Sequence, residues 1–305
     1  MRNIHSSTKQ NVIKKVTMFG GKGGVGKSTC AMATALRYAS LGEKTLVIST
    51  DPTPSLSDIL DLKCKTKPVK VVDNLYMAEL GMDEVKDMWD KRFGHEVYDI
   101  FSQVVDLEYH EFVDFITSIL PGLKDEFMVH YIKELTESGE YDRVVWDAAP
   151  MGQTIGLLET PGIVKEHLKR APRIYSRLRA GKHTRRSILN IIGSWEEMSG
   201  DDIEFLKQRV EFIMVTIPEA LAVRQLDGIF AEFAKQGFVF SRLIINNVVE
   251  TADSEFLRTK MQQQQEYLPL LHDRYQDLKM VELPLFPHEI RGLQHLENIA
   301  DRLFV

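Results

Sequence analysis

Residues 20–29 read Gly-Gly-Lys-Gly-Gly-Val-Gly-Lys-Ser-Thr, a run that works only between a buried strand and a helix. Gly21, Gly26, Lys27 and Ser28 satisfy the phosphate-loop pattern G-x-x-x-x-G-K-[ST]. Both flanks have the required character. Residues 16–19 (Val-Thr-Met-Phe) predict a strand, and Ser28 to Ser40 predict a helix. The glycines let the backbone curl until successive N–H groups converge on phosphate oxygens. The helix N-terminus adds partial positive charge. Lys27 is expected to reach the β- and γ-phosphates, and the Ser28 hydroxyl to sit on Mg²⁺. The binding set expected from the loop is Gly21, Lys22, Gly23, Gly24, Val25, Gly26, Lys27, Ser28 and Thr29. Lys22 is the unusual member. A second lysine is not needed for the loop's own phosphates, so it is expected to serve something further away.

Around this loop, apolar segments alternate with helical ones. Predicted strands are 16–19, Thr45–Ser49, Asn74–Ala78, Arg143–Trp146, Phe212–Ile217, Ser241–Ile245 and Lys279–Leu283. Continuous runs such as Val-Val-Trp and Leu-Ile-Ile suit strands covered on both faces. The expected fold is α/β, a doubly wound, mostly parallel sheet. Residues 1–305 are expected to form a single phosphate-loop domain, with a helical subdomain built from insertions at about 84–138 and 163–207. In the first insertion Val97, Ile100, Phe101, Val104 and Val105 follow helical spacing. Tyr109, Phe112, Val113, Phe115, Ile116, Ile119 and Leu120 cover more than half a helix's circumference, which means burial or an apolar groove. The second insertion holds nine Lys/Arg against one acid, Glu166, between Lys165 and Arg186. A solvated face and a partner or membrane-surface patch both fit that charge.

Net charge is −6, giving no general affinity for nucleic acid or anionic lipid. Cys30 and Cys64 are the two cysteines, and no C-x-x-C pair exists. A structural zinc, an iron–sulfur cluster and a disulfide framework are therefore not expected. The polar N-terminus does not read as a signal peptide, and no apolar run approaches the ~18 residues of a membrane span. A cytoplasmic location is expected.

Two aspartates end predicted strands, where this fold places its ligands. Asp147 follows the apolar run Val144, Val145 and Trp146, and is expected to help hold Mg²⁺ through a water. Asp51 closes Thr-Leu-Val-Ile-Ser-Thr-Asp and is expected to orient the attacking water. Each could instead cap a helix, since both precede turns.

The motif G-G-K-G-G-V-G-K-S-T, with D-P-T-P-S-L-S-D at 51–58 and D-A-A-P-M-G-Q-T-I-G-L-L at 147–158, resembles the arsenite-pump and tail-anchored-protein-targeting ATPase family. Further matches are Asn74-Leu75-Tyr76 with Glu79, Pro121-Gly122, Ile245-Asn246, and Pro284-Leu285 followed by Glu289-Ile290-Arg291-Gly292-Leu293. The resemblance spans nearly the whole chain. It implies that Lys22 crosses a dimer interface to the other subunit's phosphates, that Asp51 is the switch I water-positioning residue and that Asp147 is the switch II residue near magnesium. It implies that Asn246 reads adenine, that Pro284, Leu285 and Phe286 pack against it, and that Glu219 lies near the nucleotide across the interface. Pro54 and Gln153 stand where the family usually has histidines. With those and the two isolated cysteines, a soft-metalloid site is poorly supported.

The function implied is an ATP-hydrolysing homodimer, using ATP and Mg²⁺, that targets or chaperones hydrophobic membrane-protein segments. Its expected partners are such a segment or a membrane-associated receptor. Alternatives are coupling to anion or metalloid export or to metallocentre maturation, and, less favoured, a partitioning-type positioning ATPase. Nucleic acid is not an expected partner at a net charge of −6, and the stretch from Leu296 to Val305 is too short and too poor in basic residues for the amphipathic membrane helix that a positioning ATPase would need.

Overall fold

The structure, a computed structural model, describes residues 14–51, 55–62, 67–95, 97–98, 102, 107–119, 123–149, 151–175 and 182–304. Among them one sheet of eight strands runs in the order β3-β4-β2-β5-β1-β6-β7-β8. The strands are β1 (Val16–Gly21), β2 (Thr45–Ser49), β3 (Val69–Val72), β4 (Leu75–Glu79), β5 (Arg143–Asp147), β6 (Val210–Thr216), β7 (Phe240–Val248) and β8 (Lys279–Pro284). Every adjacent pair is parallel except β3–β4. The expected α/β class is what the chain adopts.

The apolar runs in the strands serve two cores at once. Met18, Leu46, Ile48, Val144, Trp146, Phe212, Met214, Leu243 and Ile245 face one core. Phe19, Val47, Val145, Ile213, Val215 and Ile244 face the other. Successive side chains of a strand alternate faces, so a sheet covered on both sides reads as continuously apolar. β3 is the exception that the sequence pattern hid. Its four residues are partly exposed, Lys70 among them, and it pairs antiparallel at the sheet edge. Charge on a short edge strand limits edge-to-edge association and at the same time erases the apolar signal.

Helix α1 (Lys27–Ser40) lies on the second core, burying Cys30, Ala31, Met32, Ala33, Ala35, Leu36 and Ala39. Small side chains let it approach the sheet closely, and alanine is the best intrinsic helix former. It packs against α10 (Gly292–Leu303) and against β5. The short α2 (Leu56–Leu60) is capped in a way not anticipated: the Ser57 N–H donates to Glu79 Oε1 at 2.9 Å.

The other face carries the helical layer. It comprises α3 (Met82–Trp89), a π-helical turn (Asp90–Gly94), α4 (Tyr109–Ile119), α5 (Leu123–Glu137), α6 (Met151–Tyr175) and α7 (Lys182–Arg209). Helices α8 (Ala220–Lys235) and α9 (Glu255–Arg274) complete it. The second helical stretch begins at Met151, not at 163, and α7 runs to Arg209 directly before β6. On α4, Phe112 and Val113 are buried and Phe115 is 45% exposed, so one helix has both a core face and a surface face. Met128 is likewise a core residue. Among the described residues, no helix is long and apolar enough to cross a membrane.

Candidate functional site

β1 is central in the sheet, with β5 on one side and β6 on the other, and the phosphate loop leaves its carboxyl end. A Cβ on Gly21 would run into the Val215 carbonyl oxygen of β6, so the close strand pairing leaves room only for glycine. Gly26 ends the loop at a φ of 99°, in the left-handed region, directly before α1. A Cβ there would strike the Asn246 amide. No side chain caps α1, leaving its first-turn N–H groups for an anion. Val25 anchors the loop in the second core, while Gly23 and Gly24 are exposed and Ser28 and Thr29 half-buried.

Lys27 is buried, and its ammonium donates to the Lys22 carbonyl oxygen at 3.3 Å. Burial pushes its pKa down, opposed by the charges of Asp147 and Asp51. The lysine is thus drawn to the two carboxylates that the sequence pairs with it. Asp147 is 1% exposed. Burial raises its carboxyl to about 6, with Ser28, Lys27 and Ser49 pulling the other way. Its Oδ2 accepts from the Ser49 hydroxyl at 3.2 Å, and among the described residues Oδ1 has no hydrogen-bond partner. Ser49 Oγ also accepts from the Asp51 N–H at 3.3 Å. Thr50 donates its N–H to the Asp147 carbonyl at 3.1 Å, and the Trp146 indole N–H donates to Thr50 Oγ1 at 2.9 Å. Helix α2 begins at Leu56 after Ser55, so Asp51 is not its cap.

The remaining predicted residues line the carboxyl ends of β6, β7 and β8. Asn246 lies in β7, and its Nδ2 donates to the Val25 carbonyl at 2.9 Å. Its amide therefore braces the phosphate loop, a role the sequence did not suggest. Pro284 ends β8, Leu285 donates its N–H to Val248 O at 2.8 Å, and Phe286 packs on the second core. Glu219 is exposed before α8 and pairs with Lys260 at 3.1 Å. Pro54 and Cys64 lie outside the described residues, as does the Gln153 side chain. Cys30 is buried and its thiol is raised to about 12, which makes it an inert core residue.

The donor set fits a phosphate-borne Mg²⁺. An orphaned, buried carboxylate oxygen lies beside Lys27 and Ser28. Mg²⁺ needs only one or two protein ligands when phosphates supply the rest. Among the described residues, no three His, Cys, Asp or Glu side chains converge as a metal cage.

A family model described as anion-transporting ATPase matches residues 14–305. The chain belongs to the anion-transporting ATPase family. Relatives include ATPase GET3A of Arabidopsis thaliana, 28% identical over 98% of this chain and 88% of its own. The putative arsenical pump-driving ATPase 2 of Aquifex aeolicus (strain VF5) is 27% identical over 94% of this chain and 98% of its own. ATPase GET3C of Arabidopsis thaliana is 26% identical over 95% and 82%. As a member of this anion-transporting ATPase family, the chain is an ATP-hydrolysing enzyme.

Ser49 and Thr50 were overlooked in the sequence, though a signal existed. A serine and a threonine ending the run Leu-Val-Ile are costly in a buried strand unless their hydroxyls are used.

Proposed function

We propose that the chain is a nucleotide-switched, dimeric targeting factor that holds hydrophobic segments of membrane proteins. Lys27 binds the β- and γ-phosphates and Ser28 takes a place on Mg²⁺. Bound there, Mg²⁺ would neutralise charge developing on the phosphates. Asp147, with its buried Oδ1 unpartnered among the described residues, would help to hold that ion. Asp51 orients the water that attacks the γ-phosphate. Asn246 and the segment Pro284, Leu285 and Phe286 hold the adenine. Lys22, and with it Glu219, belongs to the facing subunit's nucleotide. Lys22→Ala should keep ATP affinity yet lose ATP-dependent dimerisation, read by light scattering. Full ATP-induced dimerisation of that variant would overturn the trans role.

The observation that carries the targeting reading is mechanical. Helix α6 starts at Met151, just past the Asp147 loop, and presents Ile163 at 62% exposure. Phe115 is exposed on α4, in the same helical layer. Rearrangement around Asp147 on hydrolysis would thus move a helix that bears exposed apolar surface. Phe112, expected in the same apolar stretch, is core, and the Ile116 side chain lies outside the described residues. The test is the double variant Phe115→Asp with Ile163→Asp. It should keep ATPase turnover and thermal stability while losing capture of a synthetic transmembrane helix. Unchanged capture would sink the reading. The arsenical pump-driving relatives favour a second reading, anion-coupled hydrolysis. Stimulation of turnover by arsenite would select it.

A further inference from the structure

We propose that Ser49 is a positioning residue for hydrolysis, tying the Asp51 segment to the Asp147 carboxylate through one hydroxyl. The inference rests on the reading that Asp51 and Asp147 serve the hydrolytic step.

Ser49 is the last residue of β2 and is fully buried. The β2–β5 ladder sets it directly opposite Asp147. Its backbone is already held, with its carbonyl accepting from the Leu80 N–H at 2.9 Å and the neighbouring Thr50 N–H bonded to Asp147 O. The strand ends would stay paired without the side chain. What the hydroxyl adds is a bridge. It donates its single proton to Asp147 Oδ2 at 3.2 Å and accepts the Asp51 N–H at 3.3 Å. A hydroxyl has one donor and can accept as well, so both capacities are engaged.

Two consequences follow. Occupying Oδ2 fixes the rotation of the Asp147 carboxylate and keeps Oδ1 as the unpartnered oxygen. Bonding the Asp51 N–H fixes the point from which the segment after Asp51 departs. If either segment moves, the bridge passes the change to the other. The link is short and joins the segment that follows β2 to the residue that ends β5, which is how separate switch segments come to act together. An alanine or valine would suit the apolar strand equally well, so the hydroxyl has a role beyond packing.

The experiment compares Ser49→Ala, Ser49→Thr, Asp51→Asn and Asp147→Asn in the full chain, by steady-state ATP hydrolysis with Mg²⁺. Ser49→Ala should lower kcat about tenfold or more with KM within about twofold, the size expected for losing a hydrogen bond to a charged group. Ser49→Thr retains the hydroxyl and should recover most of kcat. In an Asp147→Asn background, adding Ser49→Ala should change kcat little, because the bridge has already lost its charged end. A purely structural serine would instead lower thermal stability in step with kcat and give additive effects. Normal kcat in Ser49→Ala, with Asp51→Asn inactive, overturns the proposal while leaving the assignment of the aspartates intact. Normal kcat in both Asp→Asn variants overturns that assignment. Should Ser49→Ala fail to fold, Ser49→Cys, near-isosteric with a weak donor, takes its place under the same criteria.

Discussion

Two buried carboxyl groups, Asp147 beneath the phosphate loop and Glu126 in the helical layer, meet very different surroundings. Both have almost no exposure, and both have oxygens without a hydrogen-bond partner among the described residues. Burial raises both, Asp147 to about 6 and Glu126 to about 7. Asp147 is flanked by Lys27 and two hydroxyls, Ser28 and Ser49, and lies where the loop opens to an anion. Glu126 sits beside Ser199, with a second carboxylate, Asp202, raising it further and His130 opposing. Asp202 is itself held by the His130 ring at 3.1 Å and by Lys133 at 3.4 Å, so those partners are already engaged. An orphaned carboxylate reads as a ligand site where cation and donors converge on it. Where a second acid crowds it and takes the neighbouring partners, it reads as a group that keeps its proton.

The largest test of that contrast removes the cation. Lys27→Ala should weaken ATP binding about a hundredfold or more, since charge-assisted bonds to phosphate are lost, as measured by calorimetry. Binding within a few-fold of wild type would put Asp147 on the same footing as Glu126. Asp51→Asn comes next. It should leave ATP affinity nearly unchanged and cut turnover about a hundredfold, the usual range for a misplaced general base or water-orienting group. Equal losses in affinity and turnover would instead mark Asp51 as a binding residue.

Glu126→Gln probes the other region through pH. Because the folded carboxyl is raised from 4.5 to about 7, its contribution is full below pH 4.5 and is lost as pH rises through 7. Integrated over that window, the wild type gives up about 3 kcal/mol at pH 8 relative to pH 4. Glutamine does not titrate and brings N–H donors toward Asp202. The variant should therefore gain stability over wild type steadily between pH 5 and 8 in denaturant unfolding. A pH-independent difference would show that Glu126 is ionised throughout. The smallest effect belongs to the surface. Lys260→Ala breaks the half-exposed pair with Glu219 and should cost roughly 0.5 kcal/mol or less in the monomer. A larger loss seen only with ATP present would draw Glu219 into the nucleotide site.

The legible parts of this molecule were those with local causes. β2 has the bounds that its apolar run predicts, and the other predicted strands lie within a few residues of theirs. The phosphate loop needs glycine at 21 and 26 for reasons confined to its own close contacts. What escaped was decided by neighbours distant in sequence. β3 was missed because an edge strand sheds the apolar pattern. The fate of Phe112 turned on a core shared by helices and strands far apart in the chain. Ser49 gave a faint sign, a hydroxyl in an apolar strand, but its partners were invisible without the β2–β5 register.

By itself the sequence determined the α/β class, the phosphate loop and the aspartate that ends β5, because glycine stereochemistry and strand periodicity operate over a few residues. The tertiary structure alone decided that Ser49 bridges Asp51 and Asp147, that Asn246 braces the loop, and that Glu126 and Asp202 share one buried site. Each of these depends on which strand or helix lies alongside which. The alternation of apolar residues says that a face is covered without saying by what.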